Sequence, residues 1–152
     1  MSRNRPALNP YITVKNTAEA IAFYEKAFAA KETAGRMTDS AGRVMHAELT
    51  IGDSVIMLAD EMPEFGNTSP ETLGGTPVVL NLNVEDADAV AKTAEEAGAE
   101  VLFPVADQFY GYRSGRLKDP FGHIWVLSQL LEELSDEEMQ RRANELFGGT
   151  NN

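Results

Sequence analysis

The sequence predicts an α+β protein: two tandem βαβββ modules followed by a C-terminal helix. Three observations carry this. Strand-to-helix signals recur at one spacing, with Val14 and Val84 standing 70 positions apart. Hairpin signals recur at the same spacing, at Gly52 and Gly122. One offset at both ends of the unit points to duplication. A third helical stripe then follows the second unit.

The first unit opens with "NPYITVKNTAEAIAFYEKAFAAKE", read as a strand ending near Val14, a cap at Asn16 and a helix. Glu19 falls three residues after Asn16, as a capping box requires, and Ile21, Tyr24 and Phe28 recur at helical spacing. "TPVVLNLNVEDADAVAKTAEEAGAE" repeats the plan, with a cap at Asp86 and Gly98 as the stop. "GRVMHAELTIGDSVIMLAD" reads as two strands joined at Gly52-Asp53, and "SGRLKDPFGHIWVLSQ" as two joined at Pro120-Phe121-Gly122. The remaining strand of each unit is expected near Lys31 to Thr38 and Glu100 to Val105. The chain thus divides into module one at about 7–60, a Gly/Pro/Ser/Thr-rich linker at 61–76, module two at about 77–130 and a helix at about 135–147, all within a single domain of 152 residues. That last helix has Ser135 and Glu138 as a second capping box. Met139, Ala143 and Leu146 form its packing stripe, against the body or a partner subunit.

Composition excludes several function classes. A formal charge of −11, from 24 acidic and 13 basic residues, repels phosphate backbones and argues against nucleic-acid binding. No apolar run approaches the roughly 20 residues that span a bilayer, so no membrane role is expected. The absence of cysteine removes disulfides, thiolate nucleophiles and thiolate metal sites together. A cytoplasmic protein is the simplest reading.

"YITV…AIAFYEKAFAA" and "GRLKDPFGHIWVL" in paired βαβββ modules resemble the vicinal oxygen chelate superfamily, the glyoxalase/bleomycin resistance/dioxygenase fold. "HAELTIGDSVIMLAD", "GGTPVVLNLNVEDAD", "FYGYRSGRLKDPFGHIW" and "LSDEEMQRR" resemble its PhnB-like branch more closely, and the similarity spans nearly the whole chain. The resemblance implies curved mixed sheets enclosing a cleft, and a homodimer. It does not fix the chemistry, because members include isomerases, dioxygenases, thiol transferases and proteins that sequester drugs.

Metal-dependent members place a His, Glu or Gln ligand on the first and last strand of each module. Those positions fall here on Asn9, Met57, Val79 and Val126. Two valines have no donor atom, and a thioether suits Mg²⁺, Mn²⁺ or Zn²⁺ poorly. The expectation is therefore no metal at the usual place and no cofactor. His123, beside the second turn, reads better as a turn-adjacent histidine than as a ligand or catalyst.

Period-two alternation sorts the strand faces. Asn9, Tyr11 and Thr13 in module one, and Val79, Asn81 and Asn83 in module two, face the cleft, while Ile12, Val14, Leu80, Leu82 and Val84 meet the helices. His46 and Glu48 face the cleft from the third strand, and the 70-residue offset pairs them with Arg116 and Lys118. His46 and Glu48 are the candidate catalytic pair, able to move a proton or hold an unconventional divalent metal. The structural alternative is a weak cross-strand ion pair with Arg116 or Lys118. In "FYGYRSG", Tyr110, Tyr112 and Arg113 either close over a flat or anionic ligand or anchor the loop to the sheet. Tyr112 stands where the PhnB-like branch more often carries an acid.

The expected cleft is therefore lined by Asn9, Tyr11, Met57, Asn81, Asn83, Tyr110, Tyr112, Arg113, Arg116 and Lys118. The reading that follows is a protein that binds or sequesters a small organic molecule without the usual metal. The alternative is a lyase, isomerase or related enzyme using His46 and Glu48.

Overall fold

The computed structural model describes residues 5–148. Strand β1 (Tyr11–Val14) leads into helix α1 (Thr17–Phe28), whose first turn is closed by Asn16 Oδ1 accepting from the Glu19 amide at 3.1 Å. The expected long strand after α1 is instead two short pieces, β2 (Lys31–Glu32) and β3 (Met37–Thr38), both paired with β4 (Val44–Ile51). β5 (Ser54–Asp60) completes module one, antiparallel to β4 and parallel to β1. The linker is ordered: a 3-10 turn at Pro63–Phe65 precedes α2 (Pro70–Leu73), and Glu61 Oε1 accepts from the Ser69 amide at 2.7 Å.

Module two repeats the plan as β6 (Val79–Asn83), α3 (Ala87–Glu96), β7 (Glu100–Asp107), β8 (Tyr112–Lys118) and β9 (Ile124–Leu130). Its sheet runs in the order β6-β9-β8-β7, matching β1-β5-β4-β2 in module one. Asp86 caps α3 by accepting from the Ala89 amide at 3.0 Å. Each module is thus the expected βαβββ unit. Helix α4 (Asp136–Phe147) follows, capped by Ser135 Oγ at 3.1 Å from the Glu138 amide. No residue of α4 is buried, and Leu146 of the expected stripe is exposed. The helix is held at its edge instead: Arg142 donates to the Phe109 carbonyl at 3.2 Å, and Phe147 packs edge-on against Phe109. No helix among the described residues is long and apolar enough to cross a membrane.

One core on the helix-covered faces joins the modules. Ile12, Val14, Leu49 and Leu58 bury the helix side of the first sheet, and Leu117, Trp125 and Leu127 that of the second. The rings of Tyr24 and Phe28, one turn apart on α1, lie 5.5 and 4.6 Å from Trp125 of the other module. Apolar burial of this kind supplies most of the folding free energy, at roughly 25 cal/mol per Å². The sheet faces turned away from the helices stay open.

The repeat is not a constant shift. Tyr11 pairs with Met57, which pairs with Glu48; Asn81 pairs with Val126, which pairs with Arg116. The structural equivalents are therefore Tyr11 and Asn81, Met57 and Val126, and Glu48 and Arg116. The offset falls from 70 on the first strand to 69 on the last and 68 on the third. The pairing of His46 with Arg116 and Glu48 with Lys118 is corrected accordingly: His46 corresponds to Ser114. The cause is chain length between strands: Asn81 to Arg116 spans two residues fewer than Tyr11 to Glu48, and the longer turn from Asp119 to His123 restores one before the last strand.

Candidate functional site

The open face of module one carries a row of Tyr11, Met57 and Glu48 in register on three adjacent strands. Period-two alternation puts His46 on the same face, its ring 5.9 Å from that of Tyr11. The tilt of the two side chains closes the separation along the strand, so His46 Nε2 lies 2.8 Å from Glu48 Oε2. Arg5, from the segment before β1, donates to the same carboxylate at 2.9 Å. The imidazole hydrogen bond and the Arg5 guanidinium hold the Glu48 carboxyl below the usual carboxylate range, against a desolvation cost that raises it. The expected partners Arg116 and Lys118 do not bind this pair. Arg5, which sequence reasoning missed, takes that place; an arginine outside any regular element gives no periodic signal.

The open face of module two carries the matching row of Asn81, Val126 and Arg116, continued on the edge strand by Phe103. Ser128 Oγ donates to Asn81 Oδ1 at 2.6 Å, and the Asn81 amide donates to Asn83 Oδ1 at 3.2 Å. Tyr110 Oη and Ser114 Oγ are hydrogen bonded at 3.0 Å, and Tyr110 packs against Tyr112 with ring centroids 5.9 Å apart. The aromatics therefore anchor the "FYGYRSG" loop to the sheet, and Tyr110 also borders open space. That space is a depression of about 360 Å³ lined by Phe103, Gln108, Tyr110, Ser114, Arg116 and Val126. Lys118 is not part of this lining, and its Nζ lies 3.6 Å from Glu100 Oε1.

Arg113 does not belong to this face. It alternates with Gly115 and Leu117 on the helix side, where it binds Asp88 at 2.7 Å and Asp107 at 2.8 Å. Asp88 sits in the first turn of α3, so Arg113 ties that helix to the sheet and is not a lid over ligand. The loop places Tyr110 and Arg113 three residues apart, and the strand that begins at Tyr112 then fixes which side each faces.

His123 is buried at the turn and its ring is 2.9 Å from the Thr13 carbonyl of module one. Its amide donates to Asp119 Oδ1 at 3.0 Å, and Trp125 Nε1 donates to Asp119 Oδ2 at 2.9 Å. Tyr24 Oη donates to that same oxygen. These bonds make His123 a joint between modules, in line with its reading as a turn residue. A second cavity of about 350 Å³ opens between β1 and β6, with mainly apolar walls that include Ile12, Pro70, Leu73 and Leu80.

The usual metal positions offer a poor donor set. Met57 and Val126 occupy equivalent places on the last strands, and Val79 begins β6. Asn9 alone offers an oxygen; its Oδ1 is buried without a hydrogen-bond partner, while its amide nitrogen donates to Pro6 O at 2.9 Å. Among the described residues no three His, Asp or Glu side chains gather as a metal-holding group. One amide oxygen and one thioether do not fit a hard divalent cation.

Comparison with known families gives a match over residues 7–127 to the Glyoxalase/Bleomycin resistance protein/Dioxygenase superfamily. The chain belongs to this superfamily. An uncharacterized protein of Mycobacterium bovis is 43% identical over 138 residues, which cover 89% of this chain and 90% of that protein. Among solved structures, a fosfomycin resistance protein, FosX, from Listeria monocytogenes superposes with a TM-score of 0.66 at 17% identity, covering 91% of this chain and 99% of that one. TioX from Micromonospora sp. ML1 gives 0.65 at 22% identity, covering 83% and 99%. At these identities the superpositions establish the glyoxalase-superfamily fold.

Proposed function

We propose that this superfamily member binds a small organic molecule on the open sheet faces without the metal used by many relatives, as a cytoplasmic homodimer of the PhnB-like branch. The observation that carries the reading is the composition of the inward rows. Positions that would hold a divalent cation carry Met57 and Val126, whereas the surrounding surface offers Tyr11, Asn81, Tyr110 and Arg116. Aromatic rings and amides around an apolar floor suit an organic ligand. Resistance proteins with this fold supply a parallel, since FosX is named for fosfomycin resistance.

The experiment is a thermal-shift screen of the full chain against metabolites and drug-like aromatics. Ligands that bind the folded state raise the melting temperature by mass action. Hits abolished by Tyr110→Ala and unaffected by chelator support the reading, and no hit across the library defeats it.

The His46–Glu48 contact favours a second reading, an enzyme in which Glu48 orients His46 for proton transfer. Turnover of any screening hit that is lost in His46→Ala while binding persists would establish it.

A further inference from the structure

Among the described residues, arginine is almost always neutralised. Arg5, Arg36, Arg43, Arg113, Arg141 and Arg142 each hold a carboxylate at 2.7 to 2.9 Å. Arg116 is the exception: among the described residues it forms no ion pair and no side-chain hydrogen bond. In a chain with 24 acidic residues, an arginine left without a carboxylate needs a cause. Arg116 is half-buried and lines the module-two depression, so its unpaired donors face that space.

The geometry around it points to a ligand. The guanidinium carbon lies over the Phe103 ring, 5.8 Å from its centroid, a cation–π contact. This contact uses none of the guanidinium N–H donors, and their planar fork matches a carboxylate through two parallel hydrogen bonds. Phe103 itself is 63% exposed, offering its apolar surface beside the charge. On the other side stand the Tyr110–Ser114 hydroxyl pair and Val126.

We infer that Arg116 is the anchor of an anion subsite, and that the ligand of the proposed binding function is a monoanionic organic acid with a flat or apolar body. This rests on the small-molecule reading above and narrows its ligand class. Charge sets the valence. Lys118, the nearest cation along the strand, is already paired with Glu100, and a net charge of −11 opposes a polyanion. One free guanidinium balances one carboxylate.

The test compares benzoate with neutral benzamide by isothermal titration calorimetry on the full chain, together with sedimentation velocity. The expectation is benzoate binding at least about tenfold tighter than benzamide, the discrimination of a hydrogen bond to a charged group. Arg116→Gln should erase that preference, and Arg116→Lys, which retains charge but loses the fork, should retain only part of it. If Arg116→Gln fails to fold by circular dichroism, the lysine variant carries the test. Equal affinity for the two probes in the wild type overturns the anion subsite yet leaves the binder reading intact. Binding of neither probe also overturns it, while hits elsewhere in the thermal-shift library keep the broader reading alive. A third result, benzoate binding unchanged in Arg116→Gln with dimerisation weakened, would assign Arg116 to a carboxylate of a second copy and sink the inference.

Discussion

Asp119, 3% exposed, is surrounded by donors from both modules: the Phe121 and His123 amides on Oδ1, and Tyr24 Oη and Trp125 Nε1 on Oδ2. A buried carboxylate is tolerable only when its lone pairs are filled. Burial first, then the adjacent carboxylate, pushes the Tyr24 phenol well above its ordinary range, so it remains a donor at every working pH. Tyr24→Phe removes one donor and should destabilise the protein by about 1.5–3 kcal/mol, measured as a lower urea midpoint with unchanged slope. An unchanged midpoint would mean the bond contributes nothing net. Glu48 gives the pH prediction. Its carboxyl is depressed in the folded state, so between the folded and unfolded values the unfolded chain binds more protons, and stability rises with pH there. The stabilisation is full above the unfolded carboxylate value and is lost as pH falls through the folded one. The melting-temperature gap between wild type and Glu48→Gln should therefore hold steady from neutral pH down to the unfolded carboxylate value and shrink below it. The role of His123 was legible as a turn residue from "DPFGH" alone. Its bond to Thr13 was not, because 110 residues separate the partners in the chain.

Local rules decided how much of each element was legible. The caps at Asn16, Asp86 and Ser135 are three-residue patterns, and all close as their spacing predicts. Strand faces also followed, since alternation is a local property. What failed was comparison across connections of unequal length: module two has two residues fewer between its first and third strands, which moved the third strand by two positions relative to the first, and the side assigned to Arg113 failed with its loop. Two element-level predictions use the backbone. Ala29 ends α1 in the left-handed region at φ 56°, where a Cβ is unfavourable, so Ala29→Gly should stabilise by about 0.5–1 kcal/mol despite the extra freedom it gives the unfolded chain. A loss of stability in thermal melts would mean the Ala29 methyl, not its backbone, matters. The glycines of the two hairpins should respond unequally to alanine. Both have positive φ, at 58° for Gly52 and 93° for Gly122, but a Cβ on Gly122 would sit 2.8 Å from Pro70 Cβ whereas Gly52 faces open space. Gly122→Ala should lower the melting temperature more than Gly52→Ala does.

For the whole molecule, the open faces raise the question of what covers them. Tyr11 is 49% exposed, Phe103 63% and Leu130 51%, more apolar surface than a lone soluble chain usually leaves on sheets. A second copy related by a two-fold axis would bury the same patch twice, the commonest solution for soluble proteins. That is the homodimer proposed above. Its charge makes the prediction specific, because each copy carries −11 and association brings two like-charged bodies together. If apolar faces drive assembly, salt should tighten it: the screening length falls from about 30 Å at low ionic strength to about 8 Å near physiological values, removing repulsion while leaving apolar burial untouched. Sedimentation velocity across that salt range should show species of twice the chain mass dissociating less at higher salt, and the melting temperature should rise with protein concentration. Weaker association at higher salt would mean that cross-subunit ion pairs, with Arg116 as the free arginine among the described residues, hold the dimer together in place of its apolar faces.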